Sequence, residues 1–262
     1  MSKAYEVIAD DLRRSIREDR YGPGDRLPSE TDLARHYGHS VPTVQNALRV
    51  LAEEGLIDRR HGSGTFVRRP RTLAVRDNRR HQWEKNRVRA PRAERAGAGA
   101  TEHDTGLDVR DLVFRATYRE IAAPRQLAHE FDIPEGTPLI ERTYRTRCTT
   151  ENAPFSLVTS YLVRAVIATN PDLLDEHREP WPGGTQNQLY TVGIEVDRVE
   201  ERLTARPPTP EEAQALDLPS GTPVILLRKT SYDIDGRVVE IADVTLPGDR
   251  TQLLFTTYLE RW

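Results

Sequence analysis

The chain has 262 residues, enough for one large or two modest domains with a core that needs no covalent staples. No run approaches the ~18 apolar residues of a membrane span. The opening Met1-Ser2-Lys3 leads straight into an amphipathic pattern without a signal-peptide core, and the single cysteine, Cys148, excludes an intrachain disulfide framework and a cysteine-based zinc site. A cytoplasmic protein is expected. The formal net charge of −3 is unevenly spread: residues 1–67 carry −1, residues 68–95 carry +8, and residues 96–262 carry −10. A basic stretch between a near-neutral head and an acidic body suits a polyanion, or a solvated linker.

Tyr5, Ile8, Leu12 and Ile16 recur at helical spacing, so residues 4–18 read as an amphipathic helix, stopped by Gly22-Pro23-Gly24. Ser29 caps a second helix, with Asp32 three residues on; Leu33, Ala34 and Tyr37 face inward, and Gly38 closes it. Ser40 caps a third helix, in which Pro42 is tolerated in the first turn; Val44, Ala47, Leu48 and Leu51 form its buried stripe. Residues 56–60 and 65–67 then read as two strands of a hairpin turning at His61-Gly62-Ser63-Gly64. Helix, helix-turn-helix and hairpin wing in that order predict a DNA-reading module.

The helical wheel points Thr43, Gln45, Asn46 and Arg49 away from that stripe, with Val41 and Pro42 at the end that usually meets base edges. Gln and Asn can pair with adenine, and the Val41 and Thr43 methyls can touch a thymine methyl. Ser29, Thr43 and the helix amino ends suit phosphate oxygens, Thr31 and Ser40 join the DNA-binding set, and His61, Gly62, Ser63 and Gly64 allow the wing a close approach to the duplex.

Leu27-Pro28-Ser29-Glu30, Leu33-Ala34, Ser40 through Leu48, and Glu54 through Val67 resemble the DNA-binding domain of the GntR family of bacterial repressors. Three positions where that family usually has arginine hold Thr31, Val41 and Gln45 here. Their loss should remove phosphate and guanine contacts. The resemblance therefore implies an altered operator, with the basic segment 68–95 as a candidate source of the missing charge.

Residues 70–106 read as a basic linker or hinge, with Trp83 among the arginines and Ala96-Gly97-Ala98-Gly99-Ala100 as a flexible stretch. That glycine pair has no strand before it or helix signal after it, so it is no dinucleotide loop.

The body, residues 107–262, contains an internal repeat: Phe131-Asp132-Ile133-Pro134-Glu135-Gly136-Thr137-Pro138-Leu139-Ile140 matches Leu216-Asp217-Leu218-Pro219-Ser220-Gly221-Thr222-Pro223-Val224-Ile225. Each copy reads as helix (125–130, 210–215), turn and strand. Two copies are too few for a solenoid, so a pseudo-symmetric α+β domain is predicted. Strands are expected at 139–148, 155–163 and 195–204, and Asp235-Gly236 pairs 224–234 with 238–246 as a hairpin. Asp233-Ile234-Asp235-Gly236 also looks like the start of a calcium loop, but its twelfth position is Val244.

The Pro-x-Gly-Thr-Pro turns, Arg145-x-Arg147, Ala153-Pro154 through Ser160-Tyr161, Tyr232 through Gly236, Glu240 and Gly248-Asp249-Arg250 resemble the UTRA effector-binding domain of the HutC subfamily of GntR regulators. That resemblance implies a chorismate-lyase-like antiparallel sheet with helices, a small and often anionic metabolite as ligand, and a contribution to dimerisation. Carried over position by position, Arg145 and Arg147 hold an anionic group and Glu240 a hydroxyl or amine, with Ser160, Tyr161, Thr185 and Tyr232 completing the site. Backbone amides at Gly183-Gly184-Thr185 suit a phosphate or carboxylate. Val158 stands where the family often has glutamate, which argues against an amino-sugar held by charge. Arg145 and Arg147 can alternatively pair with Glu141 or Glu240 without any ligand.

The domains so read are 1–69, a winged helix-turn-helix; 70–106, the linker; and 107–262, the UTRA-like domain. The expected function is a repressor, homodimeric on a pseudo-palindromic double-stranded operator, whose affinity a small metabolite changes. An alternative is a mobile-element repressor without an effector; an enzyme of chorismate-lyase-like fold is the rival from another class. For the latter there is no Gly-x-Ser-x-Gly, phosphate loop or His-Glu-x-x-His, the seven histidines are scattered, and Cys148 has no base nearby in sequence. No catalytic residue, cofactor, metal or membrane is called for.

Overall fold

The computed structural model describes residues 3–60 and 62–260. They divide into two compact units, one of residues 1–71 with 207–223 and one of residues 72–206 with 224–262.

In the first unit, α1 (Ala4–Arg17), α2 (Glu30–Tyr37) and α3 (Val41–Glu53) precede the antiparallel hairpin of β1 (Ile57–Arg60) and β2 (Gly64–Val67). The Ser29 hydroxyl caps α2 by accepting from the Asp32 amide, and the helix ends at left-handed Gly38. Ser40 precedes α3, but its hydroxyl meets that of Thr43 at 2.9 Å instead of capping a backbone amide. Val44, Ala47, Leu48 and Leu51 are fully buried against Ile8, Leu12, Leu33 and Ile57. Each valine or leucine of the stripe contributes about 1.5–3 kcal/mol on burial, so the period-3.6 stripe fixes which face of α3 is left for solvent.

The second unit begins with β3 (Ala74–Asp77), α4 (Arg80–Arg87), α5 (Arg92–Ala96) and α6 (Ala100–Thr105), so the stretch read as a linker is structured from residue 74 onward. Its arginines are used internally: Arg76 and Arg80 face Asp104, Arg87 donates to the Ala98 and Glu94 carbonyls, and Arg95 to the Pro182 carbonyl. Ion pairing, together with a helix signal at Gly99 (whose amide donates to Glu102) and β3 lying parallel to β10 (Thr251–Leu254), outweighs the local flexible composition.

Next come β4 (Leu112–Ala122), α7 (Arg125–Phe131), β5 (Pro138–Cys148), β6 (Leu157–Val163), α8 (Arg164–Ile167), α9 (Gly184–Thr191) and β7 (Val196–Arg206). The chain then contributes α10 (Pro210–Ala215) to the first unit and returns as β8 (Val224–Asp233) and β9 (Val238–Pro247). Six strands form one antiparallel sheet in the order β4-β5-β6-β9-β8-β7. The repeat is visible in that order: β4-α7-β5-β6 and β7-α10-β8-β9 meet at β6 and β9. Leu139 and Ile241 lie with α7 on one face, while Ile140 and Leu162 pack with Ile167 and Leu189 on the other.

Candidate nucleic-acid interface and ligand cavity

On the first unit, α3 exposes the side opposite its buried stripe. Gln45, Asn46, Arg49 and Pro42 are exposed and Val41 and Thr43 are half-buried; Ser29, Thr31 and Ser40 are exposed at the start of α2 and α3, and Gly62, Ser63 and Gly64 form the wing tip. His61 lies outside the described residues. Besides the Ser29 cap and the Ser40–Thr43 hydroxyl pair, two of these groups are engaged by carboxylates. The Gln45 amide nitrogen donates to Glu30 at 2.6 Å, and Arg49 donates to Glu53 at 2.6 Å one turn on. Gln45 in this state has one of its two amide hydrogens committed to Glu30, whereas the Asn46 side chain is exposed for paired donor-and-acceptor recognition of adenine. Glu30, which also receives Arg59 at 2.5 Å, was not among the expected residues, although it stands beside the Ser29 cap in the sequence.

On the second unit, a cavity opens on the face of the sheet that carries Ile140 and Leu162. Antiparallel register decides what enters it. Thr146 of β5, Phe114 of β4, Val158 and Ser160 of β6, Lys229 of β8 and Glu240 of β9 line it, with Thr185 at the start of α9. Arg76, Arg80, His81, Glu84 and Asp104, all from the stretch read as a linker, supply the opposite wall. Ser160, Thr185 and Glu240 therefore come together as expected residues of one cavity, whereas Arg145, Arg147, Tyr161 and Tyr232 do not reach it. The reason is the period of two: Tyr144 and Thr146 point in, so Arg145 and Arg147 point out. Arg145 donates to the carbonyls of Tyr144 at 2.7 Å and Val158 at 3.1 Å, and Arg147 to those of Cys148 and Glu151. Tyr161 packs with Leu139 and Ile241, and Tyr232 lies under the Arg198 guanidinium.

The charged groups of the cavity occur mostly as pairs. Glu240 is 2% exposed, receives Lys229 at 2.7 Å and accepts from the Ser160 and Ser231 hydroxyls. Burial pushes its carboxyl up, but Lys229 and the two hydroxyls outweigh that and hold it below the ordinary carboxylate range. Arg76, held between Asp104 at 3.9 Å and Glu201 at 3.2 Å, is lowered to about 10 by burial and by Arg80. An incoming anionic group would have to replace Asp104 as the partner of these arginines. Glu84 lies against Gly184, where a Cβ would meet its carboxylate at 2.4 Å, and receives the Gln186 amide at 3.4 Å. The turn expected to cradle a ligand anion therefore already faces a carboxylate of α4. Phe114, Tyr144 and Phe155 give the cavity an apolar side. No group of three or more His, Cys, Asp or Glu side chains among the described residues is arranged to hold a metal ion.

Residues 4–67 match the model of bacterial regulatory proteins of the gntR family, and residues 116–252 match the UTRA domain. An HTH-type transcriptional regulator of Streptomyces coelicolor is 31% identical, the alignment covering 94% of this chain and 89% of the relative. The HTH-type transcriptional repressor NagR of Bacillus subtilis is 27% identical over 98% of this chain and 95% of its own. A crystal structure of a GntR-family transcriptional regulator superposes with a TM-score of 0.62 at 27% identity, covering 99% of both chains.

Proposed function

Because the chain belongs to the gntR family of bacterial regulatory proteins and carries a UTRA domain, we propose that it is a transcriptional repressor whose hold on a DNA operator is changed by a small metabolite bound in the cavity of the second unit. It is a regulator and not an enzyme: the families and relatives it matches are those of transcription factors. The observation that carries the reading is α3, whose fully buried stripe at 44, 47, 48 and 51 leaves Thr43, Gln45 and Asn46 for a major groove.

Two protomers would place two α3 helices on the half-sites of a pseudo-palindromic operator, since a two-fold protein reads two-fold DNA. The metabolite would meet Ser160, Glu240 and Thr185 with its polar groups and Phe114, Tyr144 and Phe155 with its body. Only a ligand of unequal affinity for the DNA-binding and non-binding states can change operator affinity.

Footprinting of the DNA upstream of its own gene across a salt series tests this. A short palindromic footprint that shrinks on addition of one metabolite from a panel is the expected result. Weak, salt-sensitive binding with no preferred sequence would overturn the proposal.

A further inference from the structure

We propose that Arg26, Arg59 and Arg60 form a DNA-phosphate site beside the wing, outside the recognition helix; the proposal rests on the DNA-binding reading above. The residues before Pro28 run alongside β2 as a third short extended segment. The Leu27 amide donates to the Thr65 carbonyl at 2.8 Å and the Val67 amide to the Asp25 carbonyl at 2.8 Å, which places Arg26 across from Phe66. On the other side of β2, Arg59 is across from Thr65 and Arg60 from Gly64. The three guanidinium-bearing residues thus flank one strand and line one groove with Ser29, Glu30 and Gly64.

The groove carries three formal positive charges against the single carboxylate of Glu30. That carboxylate is committed to Arg59 and Gln45. Among the described residues neither Arg26 nor Arg60 has a carboxylate within salt-bridge distance; Arg60 lies over the Phe66 ring, 4.6 Å from its centroid. Arg26 lies directly over Gly64, where a Cβ would stand 2.7 Å from its Nε, so the glycine is what lets the guanidinium rest on the strand. Like charges gathered with one carboxylate among three guanidinium groups repel one another, and a row of phosphates is the ligand that relieves this. Thr31, Val41 and Gln45 leave the helices poor in cations, and this groove supplies three.

Counterion release makes the test specific. Each phosphate neutralised contributes about 0.9 to the slope of log affinity against log salt. The full chain is titrated with a random 30-base-pair duplex and with the duplex it selects from a random pool, using R26Q, R60Q, R26K, R60K and E30Q variants. Each glutamine variant should lower the slope by about 0.9 on both DNAs, losing roughly tenfold in affinity at 0.1 M salt. Each lysine variant should restore it, and E30Q, by releasing Arg59, should raise it. Glutamine variants that bind with the wild-type slope would overturn the proposal. So would lysine variants that fail to restore a lost slope, because the arginines would then be serving the fold. A wild-type protein that bound neither duplex would overturn the DNA-binding reading itself.

Discussion

Replacing Asp104 with asparagine should destabilise the second unit by about 3 kcal/mol. Asp104 is 8% exposed. One of its oxygens receives Arg80 at 2.6 Å and lies 3.9 Å from Arg76, while the other is 3.3 Å from His103. Asparagine keeps the volume but removes the charge and turns an amide donor toward a guanidinium. The hydrogen bond to a charged group is worth about 1.5–3 kcal/mol, and uncompensated burial of one partner raises the usual cost to about 3–5. Glu201 still faces Arg76, which keeps the expected loss near the lower end. For a unit of this size that corresponds to a fall in Tm of roughly 6–12 °C. Intrinsic fluorescence isolates the effect: Trp83, 4.4 Å from the His103 ring, and Trp181 belong to the second unit, and the first has no tryptophan. The double variant D104N/R80M, which also removes the orphaned cation, should recover part of the loss. A D104N transition within about 0.5 kcal/mol of wild type, the scatter of ordinary surface changes, would refute the argument.

Three further outcomes follow from particular contacts. Burial raises the Glu201 carboxyl, but His81 at 3.0 Å and Arg76 outweigh it and leave it at about 2; a carboxyl held below its unfolded value contributes stability that is complete above about pH 4.5 and is lost as pH falls toward 2. The roughly 2–3 kcal/mol by which wild type exceeds E201Q at neutral pH should therefore vanish near pH 2 in fluorescence-monitored unfolding, and a gap that persisted there would contradict the assignment. R145A and R147A should leave metabolite-induced release from the operator within about twofold of wild type, whereas S160A should weaken it by an order of magnitude, the loss of about one hydrogen bond; the reverse ranking in a gel-shift titration would place the ligand on the other face of the sheet. L48A, at a site with no exposure in the head, should cost about 2–5 kcal/mol, read as an earlier loss of helical circular dichroism; an unchanged helical transition would mean that the stripe is not the core of the head.

The head was legible because its signals are local. The Ser29 cap and terminal glycine of α2 and the four-residue apolar stripe of α3 each act within one helix and are found in place, while Ser40 stands at the start of α3 with its hydroxyl on Thr43 instead of a backbone amide. Strands β5, β8 and β9 were legible from β-branched runs and the Asp-Gly turn. The stretch 72–106 was not, because what orders it is long-range: Arg76 meets Glu201, β3 lies beside β10, and the Gln186 side chain donates to the His81 carbonyl. The eight lysines and arginines of this stretch show nothing in sequence of the acids they will find. The same limit parted the residues expected at one site: Ser160, Thr185 and Glu240 line one cavity, and Arg145, Arg147, Tyr161 and Tyr232 do not. Motif likeness selected Arg145 and Arg147, but a one-residue difference in register exchanges the faces of a strand. The arginine on the cavity face of β5 is Arg142, which is fully buried and donates to Gln188 at 2.8 Å and to the Leu173 carbonyl.

The repeat shows which part of a sequence holds still and which is free to diverge. Its two turns remain alike because their backbone demands it: Asp132 and Asp217 have φ of 55° and 47°, and Gly136 and Gly221 both have 83°. Only glycine, or asparagine and aspartate at some cost, occupies that region readily. The preceding helices carry no such constraint: Ala128 and Phe131 keep apolar counterparts in Ala213 and Leu216, but Leu127 is matched by Glu212. Helix α7, Arg-Gln-Leu-Ala-His-Glu-Phe, buries Leu127, Ala128 and Phe131 in the second unit; α10, Pro-Glu-Glu-Ala-Gln-Ala, buries none of its residues. The anchors of α10 lie at its end, where Leu216, the counterpart of Phe131, is fully buried, Arg71 reaches the Leu216 carbonyl at 3.1 Å and the Asp217 carboxylate, and Arg68 reaches the Asp217 carbonyl at 3.2 Å. Apolar anchoring is proportional to buried area and holds one helix in its own unit. Hydrogen bonds through guanidinium groups net about 1.5–3 kcal/mol each when one member is charged, and together with the buried Leu216 they hold the other helix with the winged head. One repeated pattern thus serves two units: the turn is kept by stereochemistry, while the helix that carries Leu127 packs in the second unit and the one that carries Glu212 at the matching position belongs to the first.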